Sequence, residues 1–103
     1  MGKIIHLTEE DFDSKLNELS GNVLVDFWAP WCGPCRALGK LLENLSEKNN
    51  SITICKVDVD ECPTIAERYE ISSIPMMLFF KNRQCIDQTV GLLTEHDILA
   101  KFD

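Results

Sequence analysis

The spacing of apolar residues changes several times along this chain, and the changes predict alternating strands and helices. Residues 23–28 are almost continuously apolar, which is typical of a central strand covered on both faces. Between residues 36 and 48, four leucines recur at helical spacing on one face. The predicted strands are 3–7, 23–28, 52–59, 76–80 and 84–90. The predicted helices are a first one capped from Thr8 and ending near Leu19, then 36–48, 63–69 and one capped from Thr94 that ends at Phe102.

This order of elements, β-α-β-α-β-α-β-β-α, predicts an α/β fold with helices on both faces of a mixed sheet. We expect the early strands to be parallel and joined by right-handed crossovers, and the last two strands to form an antiparallel hairpin. The chain has 103 residues and no linker or repeat, so we expect a single domain over residues 1–103.

Composition narrows the possible partners. The net charge is −7, and no stripe of Lys or Arg is present, which argues against nucleic acid and against anionic membranes. No apolar run reaches the length of a membrane span. The amino terminus lacks the pattern of an export signal, and five cysteines leave at least one unpaired. Both observations favour the reducing cytoplasm.

The chemistry of the chain is concentrated in the run Trp31-Cys32-Gly33-Pro34-Cys35, between a predicted strand and a predicted helix. Two thiols at this spacing can close one small ring and so exchange two electrons with a partner disulfide. The helix N-terminus favours an anion, which assigns attack to Cys32. Cys35, inside the first turn, is expected to be more buried and to act as the resolving thiol.

Three other interpretations of the two cysteines are possible. A zinc site needs further ligands, and the sequence has no second Cys-x-x-Cys and no His pair, so no metal is expected. A purely structural disulfide with so short a loop would constrain the unfolded chain only modestly. Two ordinary core cysteines are disfavoured because the neighbouring Trp, Gly and Pro fill a hydrophobic core poorly. The redox interpretation is therefore favoured.

Asp26 interrupts the apolar strand shortly before the dithiol. If it is buried, its pKa should be raised, and it could accept a proton from Cys35 directly or through water. The alternative is an Asp at a strand end that faces solvent, and the pattern alone does not decide between them. Lys56, in the next predicted strand, is either the partner of Asp26 or an ordinary surface lysine.

Taken together, these residues resemble the thioredoxin family over essentially the whole chain. The matching segments are Asp26-Phe27-Trp28-Ala29, Trp31 to Arg36, Lys56-Val57-Asp58, Ile74-Pro75 and Val90-Gly91. The resemblance implies a five-stranded mixed sheet in the order 1-3-2-4-5, flanked by four helices. It also implies that Cys32 is the nucleophile, Cys35 the resolving thiol and Asp26 the buried proton acceptor.

The resemblance further implies a cis peptide bond at Pro75, facing the dithiol, and a flat apolar surface on which substrates dock. The residues of that surface would be Trp31, Gly33, Pro34, Ile74, Pro75, Val90 and Gly91. For the Ile and Val of this set, ordinary core packing is the alternative, and the residue pattern alone favours it.

The chain departs from the family pattern in several places. Gly39-Lys40 lies where the family often has a helix-kinking Pro, and Asn82-Arg83 replaces a turn that usually contains Gly, so that a positive φ is expected there. Cys55 and Cys85 lie on predicted strands and are interpreted as inert small hydrophobes. Cys62 precedes a short helix, so that a lowered pKa and a regulatory role are a hypothesis.

These observations predict a protein-disulfide reductase that is recharged by a separate thioredoxin reductase and uses no cofactor beyond its own disulfide. The sequence has no Gly-x-Gly-x-x-Gly fingerprint for binding NADPH itself. We expect a monomer whose partners are protein disulfides and the reductase. A disulfide oxidase or isomerase is one alternative, and a binding subunit without redox turnover is another.

Overall fold

A computed structural model describes residues 4–103 of the chain. Its strands are β1 Ile4–His6, β2 Asn22–Trp28, β3 Ile52–Asp58, β4 Met76–Lys81 and β5 Gln84–Val90. Its helices are α1 Phe12–Glu18, α2 Gly33–Lys48, α3 Pro63–Arg68 and α4 Glu95–Ala100. Every predicted element is present, and most boundaries differ by only a few residues. Lys3, which was expected to begin the first strand, lies outside the described residues.

The five strands form one mixed sheet in the order β1-β3-β2-β4-β5, as the resemblance implied. β3 pairs in parallel with both β1 and β2, while β4 runs antiparallel to β2 and to β5. β2 therefore lies at the centre of the sheet, and its residues 23–27 are fully buried. An apolar strand in this position needs cover on both faces, and the helices supply it.

Successive side chains of β2 point to opposite faces, so that two core clusters form, one on each side of the sheet. Val23, Val25 and Phe27 pack with Phe12 of α1 and Ile65 of α3. Leu24 packs on the other face, in the cluster that contains Leu38, Leu42 and Leu45 of α2 and Ile98 of α4. Asp26 has the same orientation as Leu24, which directs its side chain toward the face covered by α2.

Two local details follow from the sequence. Thr8 and Asp11 exchange side-chain-to-backbone hydrogen bonds of 2.8 and 3.2 Å, so the expected capping pattern forms, although regular helix begins only at Phe12. At the β4–β5 turn, both Asn82 and Arg83 have positive φ, 51° and 70°. The expectation of a left-handed residue in this turn is therefore confirmed, and two consecutive such residues are typical of a type I′ hairpin.

Candidate functional site

The two motif cysteines lie where β2 ends and α2 begins. Cys32 is the N-cap residue of α2, and its Sγ accepts a hydrogen bond of 3.1 Å from the backbone N–H of Cys35. The two residues form a disulfide, with their Cα atoms 5.2 Å apart. Pro34 occupies the first turn, where a missing N–H costs the helix nothing. The bond closes the small ring that the spacing predicted and excludes two separate core cysteines.

The two sulfurs differ in their access to solvent. Cys35 is completely buried, whereas Cys32 keeps 6% of its surface exposed, so that Cys32 is the sulfur a partner would reach first. Gly33 and Pro34, between them, are exposed. The two cysteines pack with Ala29. Three partly buried hydrophobic residues pack against this cluster, namely Trp28, Val59 and Ile74.

Asp26 is fully buried on β2, and neither oxygen of its carboxyl has a hydrogen-bond partner within residues 4–103. The alternative, an Asp at a strand end that faces solvent, is therefore wrong. Burial raises the pKa of Asp26 to about 7, and the nearby positive charge of Lys56 partly opposes this shift. A carboxyl in such an environment can take up or release a proton near neutral pH.

Lys56 on β3 is directly paired with Asp26 in the strand register. Its ammonium does not hydrogen-bond to the carboxyl but lies over the indole ring of Trp28, 4.3 Å from the ring centroid. The side chain is half-buried, which also fits the alternative interpretation of a lysine whose stem packs on the protein while its charge stays near the surface. Lys56 thus acts on Asp26 through space, as a neighbouring charge.

The Ile74–Pro75 peptide bond is cis, as the resemblance implied. The carbonyl oxygen of Ile74 lies 4.0 Å from Sγ of Cys32, which places this loop against the disulfide. The carbonyl of Pro75 accepts a 2.8 Å hydrogen bond from the N–H of Gly91, so the loop is tied to the end of β5. Three segments that are distant in sequence therefore meet at the redox pair.

The proposed docking residues differ in exposure. Trp31 and Val90 are 68% and 61% exposed, which rules out core packing for Val90. Ile74 is half-buried, and Pro75 is buried, so that Pro75 shapes this surface mainly through its backbone. We call Trp31, Gly33, Pro34, Ile74, Val90 and Gly91 the apolar face.

Sequence reasoning missed three residues near this site. Leu92 is 54% exposed directly after Gly91 and extends the apolar face. Asp60 accepts a 2.7 Å hydrogen bond from the Trp31 indole and so orients that ring. Gly39 of α2 is buried against the Lys56 ammonium. The apolar residue following Val90-Gly91 was a signal for Leu92, whereas contacts across elements gave no signal in the sequence.

The remaining cysteines correct two expectations. Cys62 is buried, its thiol points at the carbonyl of Leu7, and burial together with Glu9 and other acidic neighbours raises its pKa. The hypothesis of a lowered pKa is therefore wrong. The position of Cys62 before α3, a helix of only 6 residues, does not outweigh the effect of desolvation on the thiol. Cys55 is buried with its pKa raised to about 12 by desolvation, as expected of an inert thiol. Cys85 is exposed on β5, so it does not pack as a small hydrophobe, and its expected inertness stays a prediction.

Within residues 4–103, no helix has the length and apolar character needed to cross a bilayer. The same residues contain no group of three or more His, Cys, Asp or Glu side chains placed to hold a metal ion. The site therefore consists of a disulfide, a buried carboxyl, a nearby ammonium and an apolar face.

Comparison with known proteins agrees with this geometry. Residues 3–103 match the family model described as Thioredoxin. The chain is similar to the curated thioredoxins of Staphylococcus aureus strains Mu50, MW2 and N315. To each it is 43% identical over 101 residues, which cover 97% of this chain and 95% of the relative.

Proposed function

The chain belongs to the thioredoxin family of thiol–disulfide oxidoreductases, and on that premise we propose that it reduces the disulfides of other proteins through Cys32 and Cys35. The observation that carries the proposal is the disulfide at the N-terminus of α2, with its more accessible sulfur on the N-cap residue. This structure is the oxidised form, the state left after one substrate has been reduced.

In the first step, the Cys32 thiolate attacks one sulfur of the substrate disulfide. The substrate S–S bond breaks, a mixed disulfide with Cys32 forms, and the other substrate sulfur leaves as a thiolate that takes up a proton. The backbone N–H of Cys35 donates a 3.1 Å hydrogen bond to Sγ of Cys32 and so favours negative charge on that sulfur. The positive end of the α2 dipole has the same effect. Attack by Cys32 is therefore the step that this helix terminus supports.

In the second step, Cys35 attacks Sγ of Cys32. The mixed disulfide breaks, the second substrate sulfur leaves, and the Cys32–Cys35 bond forms, so that two electrons have passed to the substrate. Cys35 must lose its proton first, and it is completely buried. We assign that proton to Asp26, whose side chain lies on the sheet face that α2 covers. Its buried carboxyl has no hydrogen-bond partner among the described residues and a pKa of about 7. Lys56 tunes this acceptor through its charge.

The apolar face supplies the docking surface. Trp31, held by Asp60, and Val90 present exposed apolar side chains beside a redox pair that is almost closed to solvent. The carbonyl of Ile74 lies beside Cys32, and backbone in this position can pair with an extended substrate segment. Such a surface suits many protein disulfides rather than one small molecule.

Turnover requires a separate reductase that returns two electrons and two protons to the Cys32–Cys35 disulfide. We propose a thioredoxin reductase as that partner, and no cofactor other than the disulfide itself. The three free thiols, two of them buried, suit a reducing compartment and so support a cytoplasmic location.

Reduction of insulin disulfides tests the proposal, with and without a thioredoxin reductase and NADPH. We expect catalytic turnover only when chain, reductase and NADPH are all present. If an equimolar amount of the reduced protein leaves the insulin disulfides intact, that result would contradict the proposal. A reduction potential nearer to the disulfide isomerase value of about −180 mV than to the thioredoxin value of about −270 mV would favour the isomerase alternative. A double variant, C32S with C35S, that keeps full biological activity would favour the binding subunit.

A further inference from the structure

Gly39 is a buried glycine in the middle of the long helix α2. Its φ does not lie in the left-handed region, so the backbone does not need glycine there. Glycine is also one of the poorest helix formers, and alanine the best. Neither backbone conformation nor helix propensity therefore explains this glycine.

An added Cβ at Gly39 would meet one atom within 4 Å, the Nζ of Lys56, at 3.1 Å. That distance is shorter than an ordinary van der Waals contact, so an alanine would force the ammonium to move. No backbone atom and no other side chain lies close enough to limit the space. Gly39 and the position of the Lys56 ammonium are thus directly linked.

The ammonium also lies over the indole of Trp28, with Nζ 4.3 Å from the ring centroid. A cation over an indole is attracted by the ring, which favours this position over free solvent. A methyl group at residue 39 would shift the ammonium from this position by a few tenths of an ångström.

The position of this charge matters because Lys56 is directly opposite Asp26 across the β2–β3 pair. The Asp26 carboxyl has no hydrogen-bond partner among the described residues, so its proton affinity depends on burial and on surrounding charges alone. A shift of the ammonium changes its attraction for the ionised carboxylate.

We propose that Gly39 is a positioning residue for the resolving step: its missing side chain places the Lys56 ammonium where that charge sets the proton affinity of Asp26. The proposal rests on the proposed function, in which Asp26 accepts the proton of Cys35.

Other charged or titratable groups surround the pair and enter any pH dependence. They belong to β1, α2, β3 and the redox motif, and they are His6, Cys32, Cys35, Glu43, Glu47 and Asp58. The acidic members oppose the Lys56 charge, and the cysteines do not titrate in the disulfide form. Oxidised protein therefore isolates the titration of Asp26 from that of the two thiols.

The test is a double-variant cycle of G39A and K56M, read in oxidised protein by the pH titration of the Asp26 carboxyl carbon in NMR. N44A serves as the matched control, because Asn44 is an exposed residue of α2 whose change also favours helix formation. We expect G39A to shift the Asp26 titration midpoint by about 0.1 pH unit, about a 1.3-fold change in proton affinity, and N44A to leave it unchanged. In the K56M background, G39A should have no further effect.

An unchanged midpoint in G39A, or an equal shift with and without Lys56, would overturn the proposal. The reduced protein supplies the kinetic arm: the pH midpoint of substrate reduction should move in G39A in the same direction as the NMR midpoint. D26N separates the two ideas. If D26N leaves the pH profile of reduction unchanged, the assignment of Asp26 as proton acceptor fails, whereas the NMR cycle still decides whether Gly39 positions the charge.

Discussion

Asp26 and Lys56 face each other in register across β2 and β3, yet no hydrogen bond joins the carboxyl to the ammonium. The ammonium lies instead on the Trp28 ring, and the carboxyl remains buried without a partner. Forming a direct pair would hold the carboxylate ionised and prevent it from taking up a proton. The separation keeps Asp26 able to change its protonation state.

Replacing Asp26 with Asn should stabilise the fold at neutral pH. The pKa of Asp26 is about 7 in the folded chain, against about 3.9 in an unfolded one, so the folded state binds the extra proton. Stability from this residue is thus present at low pH and lost as pH rises from about 4 through 7. We expect D26N to raise the free energy of unfolding above pH 7 by about 2–4 kcal/mol, while slowing substrate reduction.

Chemical denaturation of oxidised D26N and wild-type protein at several pH values measures this difference. The gain should shrink toward zero below about pH 3, where the aspartate is protonated in both states. A D26N chain that is equally or less stable at pH 7.5 would contradict the burial of an ionisable carboxyl.

Removing the resolving thiol should trap the intermediate. In C35S, Cys32 can attack a substrate disulfide but nothing on the chain can displace the substrate, so a covalent mixed disulfide should accumulate. Non-reducing electrophoresis and mass spectrometry detect the adduct, and C32S is the control that should form none. An adduct that forms as readily in C32S would reverse the roles assigned to the two cysteines.

Truncating Trp31 should weaken recognition of protein substrates more than the chemistry. The ring is 68% exposed and oriented by Asp60, which makes it a docking contact rather than part of the core. We expect W31A to lower kcat/KM for insulin by about tenfold, the loss of an interface anchor worth about 1.4 kcal/mol. Reduction of a small aliphatic disulfide should change by about twofold or less.

A matched control for W31A is I86A, which removes another exposed apolar side chain, from β5 rather than from the apolar face. Insulin reduction by I86A should equal that of the wild type. Equal losses in the two variants would mean that general surface hydrophobicity, not the apolar face, recruits substrates.

Alkylation should distinguish the three free cysteines by burial. Cys85 is exposed, whereas Cys55 and Cys62 are buried. In oxidised native protein, iodoacetamide should modify Cys85 first, and the other two should react only after denaturant is added. Peptide mass mapping over time checks the order, and early labelling of Cys62 would contradict its burial against Leu7.

The sequence predicted the sheet well because each strand carried its own signal. β2 was recognisable from its apolar run, and the hairpin from the two polar residues 82–83 between apolar segments. The catalytic assignment of Cys32 and Cys35 came from spacing and a helix start, which are also local features. These signals need no knowledge of the neighbouring elements.

Tertiary neighbours decided what the sequence could not. Cys62 and Cys85 both differ in burial from what their positions suggested, because a thiol before a short helix became enclosed near Leu7 and a thiol on a strand fell on the edge strand β5. Alternation along Gln84–Val90 is the same whether a strand lies inside a sheet or at its edge. The burial of Asp26 likewise depended on α2 covering that face.

The hydrogen bond between Gly91 and Pro75 makes the substrate-facing loops one mechanical unit. Segments from before β4 and after β5 are held together before any partner arrives, so docking freezes little of the protein's own motion. The entropy lost on binding then falls mainly on the substrate. We therefore expect the protein to prefer disulfides in flexible loops that can become extended over disulfides in rigid, buried loops. This preference needs no pocket that recognises particular substrate side chains.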